Sequence, residues 1–342
     1  MKYRRFGSTD LTVSELGMGC SGLGGGLHHD DRREALATLW RALDAGVNFF
    51  DTSDTYSQGG SERIIGQAFQ ERRGQVILAT KVGFVYSALG RAALRLRPLF
   101  RPIKNLLRPA RASLNRVRYS QKSVDYSAGH VVEGLHRSLQ RLRTDYLDLY
   151  QLHNPPPEVI RQGACFEAFE RLKTQGKIRY YGVSCAEVDD ALWCFEHSGV
   201  SSVQVAVSLL DQQATASILP RAAKQGIGVI ARVPLAQGLL AERQPDSKAE
   251  QVVKRQAVLA HRKRRTEAFR FLSTGGRTMP QAALQFVLGL AGVSVVIPGM
   301  SRRDHLEENL AALAAPPLSA EELARVERLG RERLLLELAD AA

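Results

Sequence analysis

VNFFDTSDTYSQGGSERIIGQAFQERRGQVILATK, residues 47–81, reads as strand, loop, helix and strand in one pass. VNFFD (47–51) is short, aromatic and β-branched, SERIIGQAFQER (61–72) carries a helical pattern, and QVILATK (75–81) returns to a strand pattern. Such a unit predicts two parallel strands joined by a helical crossover.

The same alternation continues along the chain. Strands are expected at YLDLYQLH (146–153), IRYYGVS (178–184), SVQVAV (202–207), GVIARV (228–233) and VSVVIPG (293–299), with VSELGMG (13–19) as the first. Helical runs fall between them: AGHVVEGLHRSLQRL, ACFEAFERLKTQG, AEVDDALWCFEHSG, TASILPRAAKQG and, before the last strand, PQAALQFVLGLAG. Eight strands favour a closed parallel (β/α)8 TIM barrel over a doubly wound open sheet. GLGGG (22–26) lacks the GxGxxG spacing that would argue for the open sheet. No Gly/Ser- or Pro-rich linker divides the 342 residues, so residues 1–342 are expected to form a single α/β domain.

Hydrophobic residues make up 44% of the chain and charged residues 24%, the composition of a globular protein. No apolar run is long enough to span a bilayer and the opening MKYRRFGSTDLTV is not signal-like, so a cytoplasmic location is expected. Cys20, Cys165, Cys185 and Cys194 form no CxxC pair, which points to neither a zinc site nor a disulfide framework. His28-His29-Asp30-Asp31, read as an extended loop, is not expected to bind metal, because adjacent side chains there diverge. The net charge of +12 is concentrated: residues 91–122 contain ten Lys or Arg and no acid, so the remainder carries only +2. A basic insertion over 84–125 is expected on the active-site face, directly after the strand ending in Lys81. Within it Leu99, Phe100, Ile103, Leu106 and Leu107 recur at helical spacing. Three roles are open to it: a lid, a pocket for anionic substrates, or a peripheral membrane contact. Without interleaved aromatics it does not read as a nucleic-acid site.

Barrel chemistry sits at the carboxyl ends of strands. There the sequence places Asp51, Tyr56 just beyond it, Lys81 and His153. Singly, each has a structural explanation: a helix cap, a loop contact, a solvated cation, a core histidine. Together they make a proton-transfer site. A phenol is a poor acid near neutrality unless a cation favours its anion, and Lys81 can supply that cation while Asp51 keeps the ammonium charged. His153 can orient a carbonyl toward Tyr56. No side chain donates hydride, so a redox cofactor is implied.

FFDTSDTYSQGGSERIIGQAF, ILATKVG, DYLDLYQLHNP, IRYYGVS, VPLAQGLL and VIPGMSRRDHLEENLAAL, in this order, resemble the signature segments of the aldo-keto reductase superfamily from about residue 3 to residue 330. The resemblance implies a (β/α)8 barrel that reduces an aldehyde or ketone, or oxidises an alcohol, with Asp51, Tyr56, Lys81 and His153 as the catalytic tetrad and Tyr56 as general acid/base. It also implies cofactor roles. Ser184 and Gln204 would hold the nicotinamide carboxamide and Arg232 would pack on the ring. The backbone of Leu235, Gln237 and Gly238 would cradle the pyrophosphate, and Gly299, Ser301, Arg302, His305, Glu308 and Asn309 would bind the adenosine end. NADP(H) is the preferred cofactor, on the strength of Arg302 and Arg303, with NAD(H) possible because His305 replaces the usual Arg or Gln. Cys185 stands where Asn is frequent, Arg232 where an aromatic ring is common, and AERQPDSKAE (241–250) where many relatives have a cofactor-covering loop. The alternative function is a redox-sensing or regulatory subunit that binds the cofactor and turns over slowly. The expected partner is a small-molecule carbonyl or alcohol.

Overall fold

The computed structural model describes residues 1–24, 29–86, 122–241 and 266–340. The chain begins with an antiparallel hairpin of β1 (Tyr3–Arg5) and β2 (Thr12–Ser14). The barrel strands then follow as β3 (Met18–Gly19), β4 (Phe49–Asp51) and β5 (Ile77–Val82). A second hairpin, β6 (Phe84–Tyr86) with β7 (Lys122–Val124), precedes the remaining barrel strands β8 (Leu147–His153), β9 (Ile178–Ser184), β10 (Ser202–Ala206), β11 (Gly228–Arg232) and β12 (Val295–Ile297). Eight parallel strands run in the order β3-β4-β5-β8-β9-β10-β11-β12. The ends of that series meet through parallel bridges Leu16↔Val296 and Gly19↔Gly299, and Gly19 N donates to Pro298 O at 2.9 Å. A Cβ on Gly19 would stand 2.9 Å from that same oxygen, so closure here requires glycine. This is the expected barrel.

Two departures concern its first strand and its hairpins. Only Met18–Gly19 of VSELGMG joins the barrel, because the chain before it belongs to the N-terminal hairpin. Phe6, Leu11 and Val13 from that hairpin pack with Phe49, Ile77, Leu149, Ile230 and Val295 in one buried cluster that fills the barrel interior from below. Period-two alternation continues upward from this floor: Phe49 is followed on the same face by Asp51, Ile77 and Ala79 by Lys81, Leu149 by Gln151 and His153, and Ile230 by Arg232. The opposite parity, including Phe50, Leu78, Tyr150, Leu152 and Val183, packs outward against the helices.

The helices of the described residues are α1 (His29–Asp44), α2 (Gly60–Phe69), α3 (Ala128–Leu142), α4 (Pro157–Gln162), α5 (Phe166–Thr174), α6 (Ala191–Cys194), α7 (Gln213–Ser217), α8 (Leu219–Gln225) and α9 (Met279–Gly289), which lie between strands, and α10 (Arg303–Ala311) and α11 (Ala320–Asp340), which follow the last strand. In α3, Val131, Leu135, Leu139 and Leu142 form the buried stripe, and the Ser127 hydroxyl caps the helix by accepting from His130 N. TASILPRAAKQG is split between α7 and α8 near Pro220, and AEVDDALWCFEHSG yields only the single turn α6. His29–Asp31 open α1 rather than lying in an extended loop, while His28 lies outside the described residues. So does most of the basic segment; of 84–125, only the β6–β7 stalk and residues up to Asp125 are described. No helix among the described residues is long and apolar enough to cross a membrane.

Candidate active site

Because Asp51, Lys81, Gln151, His153, Ser184, Gln204 and Arg232 share the inward parity at the tops of their strands, the barrel converges them on one cavity of about 270 Å³. Its lining includes Asp51, Tyr56, His153, Ser184, Gln204, Arg232 and Gly299. Lys81 is wholly buried at its base. The ammonium donates to Asp51 Oδ2 at 2.5 Å and to Thr52 O at 2.9 Å. The other Asp51 oxygen accepts from Gln204 Nε2 at 2.9 Å and Gln151 Nε2 at 3.3 Å. Burial pulls the Lys81 ammonium toward neutrality, but Asp51 and Tyr56 outweigh it, and the net direction is upward. The cation therefore persists at the bottom of the site.

Tyr56 reaches this cation from a loop of unusual backbone. Its main-chain N donates to Ser53 O at 3.1 Å, and the next two residues, Ser57 and Gln58, have φ of 48° and 57° before Gly59 at 78°. The turn swings the phenol over the barrel axis, with Lys81 Nζ 5.2 Å from its ring centroid. Burial raises the phenol above its ordinary value, and the Lys81 charge and hydrogen bond offset only part of that rise. The expected acidification by Lys81 is thus real as one contribution but is outweighed by burial. The phenol stays protonated, which suits a proton donor.

His153 stands edge-on to Tyr56, with centroids 5.8 Å apart, and edge-on to Phe84 at 4.8 Å. Its Nδ1 lies 3.1 Å from Ser53 Oγ. The four residues expected to act together are therefore together. The sequence reading missed four others at the site: Gln151, Ser53, Phe84 and Asn154. Gln151 was readable, since it sits two residues before His153 in a strand. Ser53 and Phe84 carry no local signal, and Asn154 enters the lining through a left-handed φ of 51°.

On the cofactor side, Ser184 Oγ donates to Gln204 Oε1 at 3.0 Å, which joins these two to Asp51. Arg232 donates through Nη2 to the carbonyls of Cys185 and Ala186, both at 2.9 Å, while its buried Nε has no partner. The chain then bends at Val233, a cavity-lining residue whose φ of 50° is strained for a β-branched side chain by about 1–3 kcal/mol. Leu235 is buried beyond it, and Gln237 and Gly238 continue in left-handed conformations with φ of 58° and 91°. AERQPDSKAE lies outside the described residues from its second residue onward. Gly299 and Ser301 lead into α10. Arg302 forms a two-bond ion pair with Asp304, both contacts at 3.2 Å, and His305 Nε2 is 3.7 Å from the same carboxylate. Glu308 and Asn309 follow on the helix, and Asn309, only 1% exposed, has neither amide atom hydrogen-bonded. Cys20 lines the cavity but burial raises its thiol far above the reactive range. The Cys185 thiol donates to Val183 O at 4.0 Å, and neighbouring Cys194 together with burial raises it as well.

A family model described as "Aldo/keto reductase family" matches residues 15–331. The chain is 33% identical to "Uncharacterized oxidoreductase YqkF" of Bacillus subtilis (strain 168), with 94% of each protein covered. Among solved structures it resembles the holo form of aldo-keto reductase AKR11C1 from Bacillus halodurans at 31% identity and TM-score 0.75, covering 96% of each chain. It also resembles an aldo/keto reductase from Klebsiella pneumoniae in complex with NADP and acetate, at 26% identity and TM-score 0.67 over 96% of this chain and 95% of that one. The chain therefore belongs to the aldo/keto reductase family and is an oxidoreductase that acts on carbonyls.

Proposed function

We propose that this chain reduces an aldehyde or ketone to the alcohol, or runs the reverse reaction, with NADP(H) as the preferred cofactor and Tyr56 as general acid/base. One observation carries the reading: a buried Asp51–Lys81 pair lies beneath the half-buried phenol of Tyr56, with an imidazole beside it, in a cavity continuous with Ser184, Gln204 and Arg232. Unpartnered buried groups on the cofactor side support the fit. Arg232 Nε at the cavity and the Asn309 side-chain amide on α10 are buried without a protein partner, so both are open to a ligand. Ser184 and Gln204 would hold the carboxamide, the Leu235, Gln237 and Gly238 backbone the pyrophosphate, and Gly299, Ser301, Arg302, His305 and Glu308 the adenosine phosphate end. The Klebsiella pneumoniae relative, a complex with NADP, supports the same cofactor here.

When bound, the cofactor supplies hydride to the carbonyl carbon. The protein supplies the rest. Tyr56 gives its proton to the carbonyl oxygen as negative charge develops there, Lys81 stabilises the phenolate left behind, and Asp51 keeps Lys81 charged and fixed. His153 hydrogen-bonds the same oxygen and aims it at Tyr56. We further propose that the substrate is anionic. The β6–β7 stalk that leads into the basic segment stands beside His153, since Phe84 touches that ring, and Tyr86 pairs with Lys122. The test follows the absorbance of NADPH, and separately NADH, against a panel of neutral and carboxylated carbonyls. Rapid oxidation of NADPH with any carbonyl supports the reading. Tight cofactor binding with no carbonyl turned over would favour the redox-sensing alternative.

A further inference from the structure

One hydroxyl beneath the site has more claims on it than it has protons. Ser53 Oγ, fully buried, lies 3.1 Å from His153 Nδ1, 3.2 Å from Asp54 Oδ1 and 3.0 Å from Thr55 Oγ1, and it accepts from Thr55 N at 3.2 Å. A serine hydroxyl has one proton to give and two lone pairs to share. With one lone pair engaged by Thr55 N–H, the one proton and the other lone pair are shared among Asp54, His153 and Thr55 Oγ1, and two arrangements link Asp54 to His153 in series. Either Ser53 donates to Asp54 and accepts from His153 Nδ1–H, or Asp54 donates to Ser53 and Ser53 donates to His153 Nδ1. The first arrangement leaves the neutral ring's proton on Nδ1. The second puts it on Nε2, where the ring can donate to a substrate oxygen.

We propose that Asp54, acting through Ser53, sets the tautomer of His153 and so is a positioning residue for the carbonyl: the protonated carboxyl prepares His153 as a donor and the carboxylate disarms it. The proposal rests on the reading of His153 as the group that orients the carbonyl.

The surroundings of Asp54 place its titration where it matters. Glu62 on α2, itself buried and held by Thr80 Oγ1 at 2.7 Å and Arg141 Nε at 2.5 Å, faces Asp54 as a like charge. Arg141 and Arg137 on α3 face it as opposite charges, the Tyr150 phenol on β8 is nearby, and Lys81 O accepts from its main-chain N at 3.3 Å. Around His153 itself stand Ser53, Tyr56 and Phe84, with the Lys81–Asp51 pair behind Tyr56 and Arg232 across the cavity. Burial first, and then Glu62, push the Asp54 carboxyl up to about 7 against the pull of Arg141, Ser53 and Arg137. A carboxyl with an ordinary value would be ionised at all working pH and would lock His153 in one state.

The direct test is nitrogen NMR of the full chain carrying 15N-histidine, with the His153 signal identified among the eight histidines by its loss in a His153→Gln variant. The expected result is that the proton sits on Nε2 below about pH 7 and on Nδ1 above it. In Asp54→Asn, which cannot ionise, and in Ser53→Ala, which cuts the link, the ring should no longer change tautomer with pH. In parallel, kcat for carbonyl reduction by the wild type should fall about tenfold per pH unit above about 7, and that limb should vanish in Asp54→Asn. One tautomer throughout in the wild type, a ring protonated at both nitrogens throughout, or a transition that persists in Asp54→Asn would overturn the proposal. Because the NMR needs no turnover, a ring that switches in a protein that reduces no carbonyl would sink the functional reading and leave the switch standing.

Discussion

Replacing Tyr56 by Phe isolates one proton. The ring, with its edge-on contact to His153 at 5.8 Å and its place 5.2 Å from Lys81 Nζ, is retained, so the walls of the cavity are unchanged. What disappears is the proton given to the developing alkoxide; His153 Nε2 still hydrogen-bonds that oxygen, so the loss is large but not complete. Lys81 already commits hydrogen bonds to Asp51 Oδ2 and Thr52 O and is buried beneath the phenol. His153 is tied at Nδ1 to Ser53. Loss of a positioned general acid is commonly a factor of about 10² to 10⁴, or about 2.7–5.5 kcal/mol on the barrier. Stability should fall by about 1.5–3 kcal/mol, the value of one hydrogen bond to a charged group. The assay is single-turnover oxidation of NADPH with saturating carbonyl, repeated with cofactor deuterated at the transferred position to show that hydride transfer limits the rate. Cofactor affinity, from fluorescence titration, should stay within about threefold. If Tyr56→Phe keeps more than about a tenth of the wild-type rate with a full isotope effect, Tyr56 is not the acid.

Asp51→Asn leaves the Lys81 ammonium buried without its anion and should cost about 3–5 kcal/mol in urea denaturation; a loss below about 1 kcal/mol would mean that Gln151, Gln204 and Thr52 solvate the cation unaided. Arg302→Gln should lower the preference for NADP(H) over NAD(H) about tenfold by fluorescence titration. The effect is held to that size because Arg302 must give up its exposed pair with Asp304 to meet a phosphate, and an unchanged ratio would move the selectivity to Arg303 or His305. Changing Arg95, Arg97 and Arg101 to Gln should reduce kcat/KM several-fold for a carboxylated carbonyl at low salt, and not at high salt or for a neutral analogue. Equal responses from the two substrates would remove the anionic-substrate proposal.

The barrel was readable because its evidence is periodic. Strand, helix and strand recur, and once the ring closes, the parity along each strand dictates which polar residues point inward: Asp51, Lys81, Gln151, His153, Ser184, Gln204 and Arg232 all follow from counting in twos above an apolar floor. The first strand was misjudged for the same reason. VSELGMG has a strand-like composition throughout, but its amino-terminal part pairs with Tyr3–Arg5, and only the tertiary demand for a plug of Phe6, Leu11 and Val13 under the barrel decides that. Nothing local to residues 13–19 carries it.

The site was readable in its actors and not in their supports. Asp51, Tyr56, Lys81 and His153 have chemistry that points to one another, so their types at strand ends were enough. The net acidity of Tyr56 was not accessible, since it depends on whether burial or Lys81 wins, and burial depends on the whole cavity. Ser53 and Asp54 were invisible for a different reason. Both lie inside the most recognisable segment of the chain, between Asp51 and Tyr56, where they read as loop residues. Their significance appears only when β8, 100 residues later, brings His153 Nδ1 to 3.1 Å from Ser53, and α2 and α3 bring Glu62 and Arg141 up behind Asp54. A tautomer is set by geometry between elements distant in sequence, so a string of residue types can name the histidine but not say which nitrogen carries its proton.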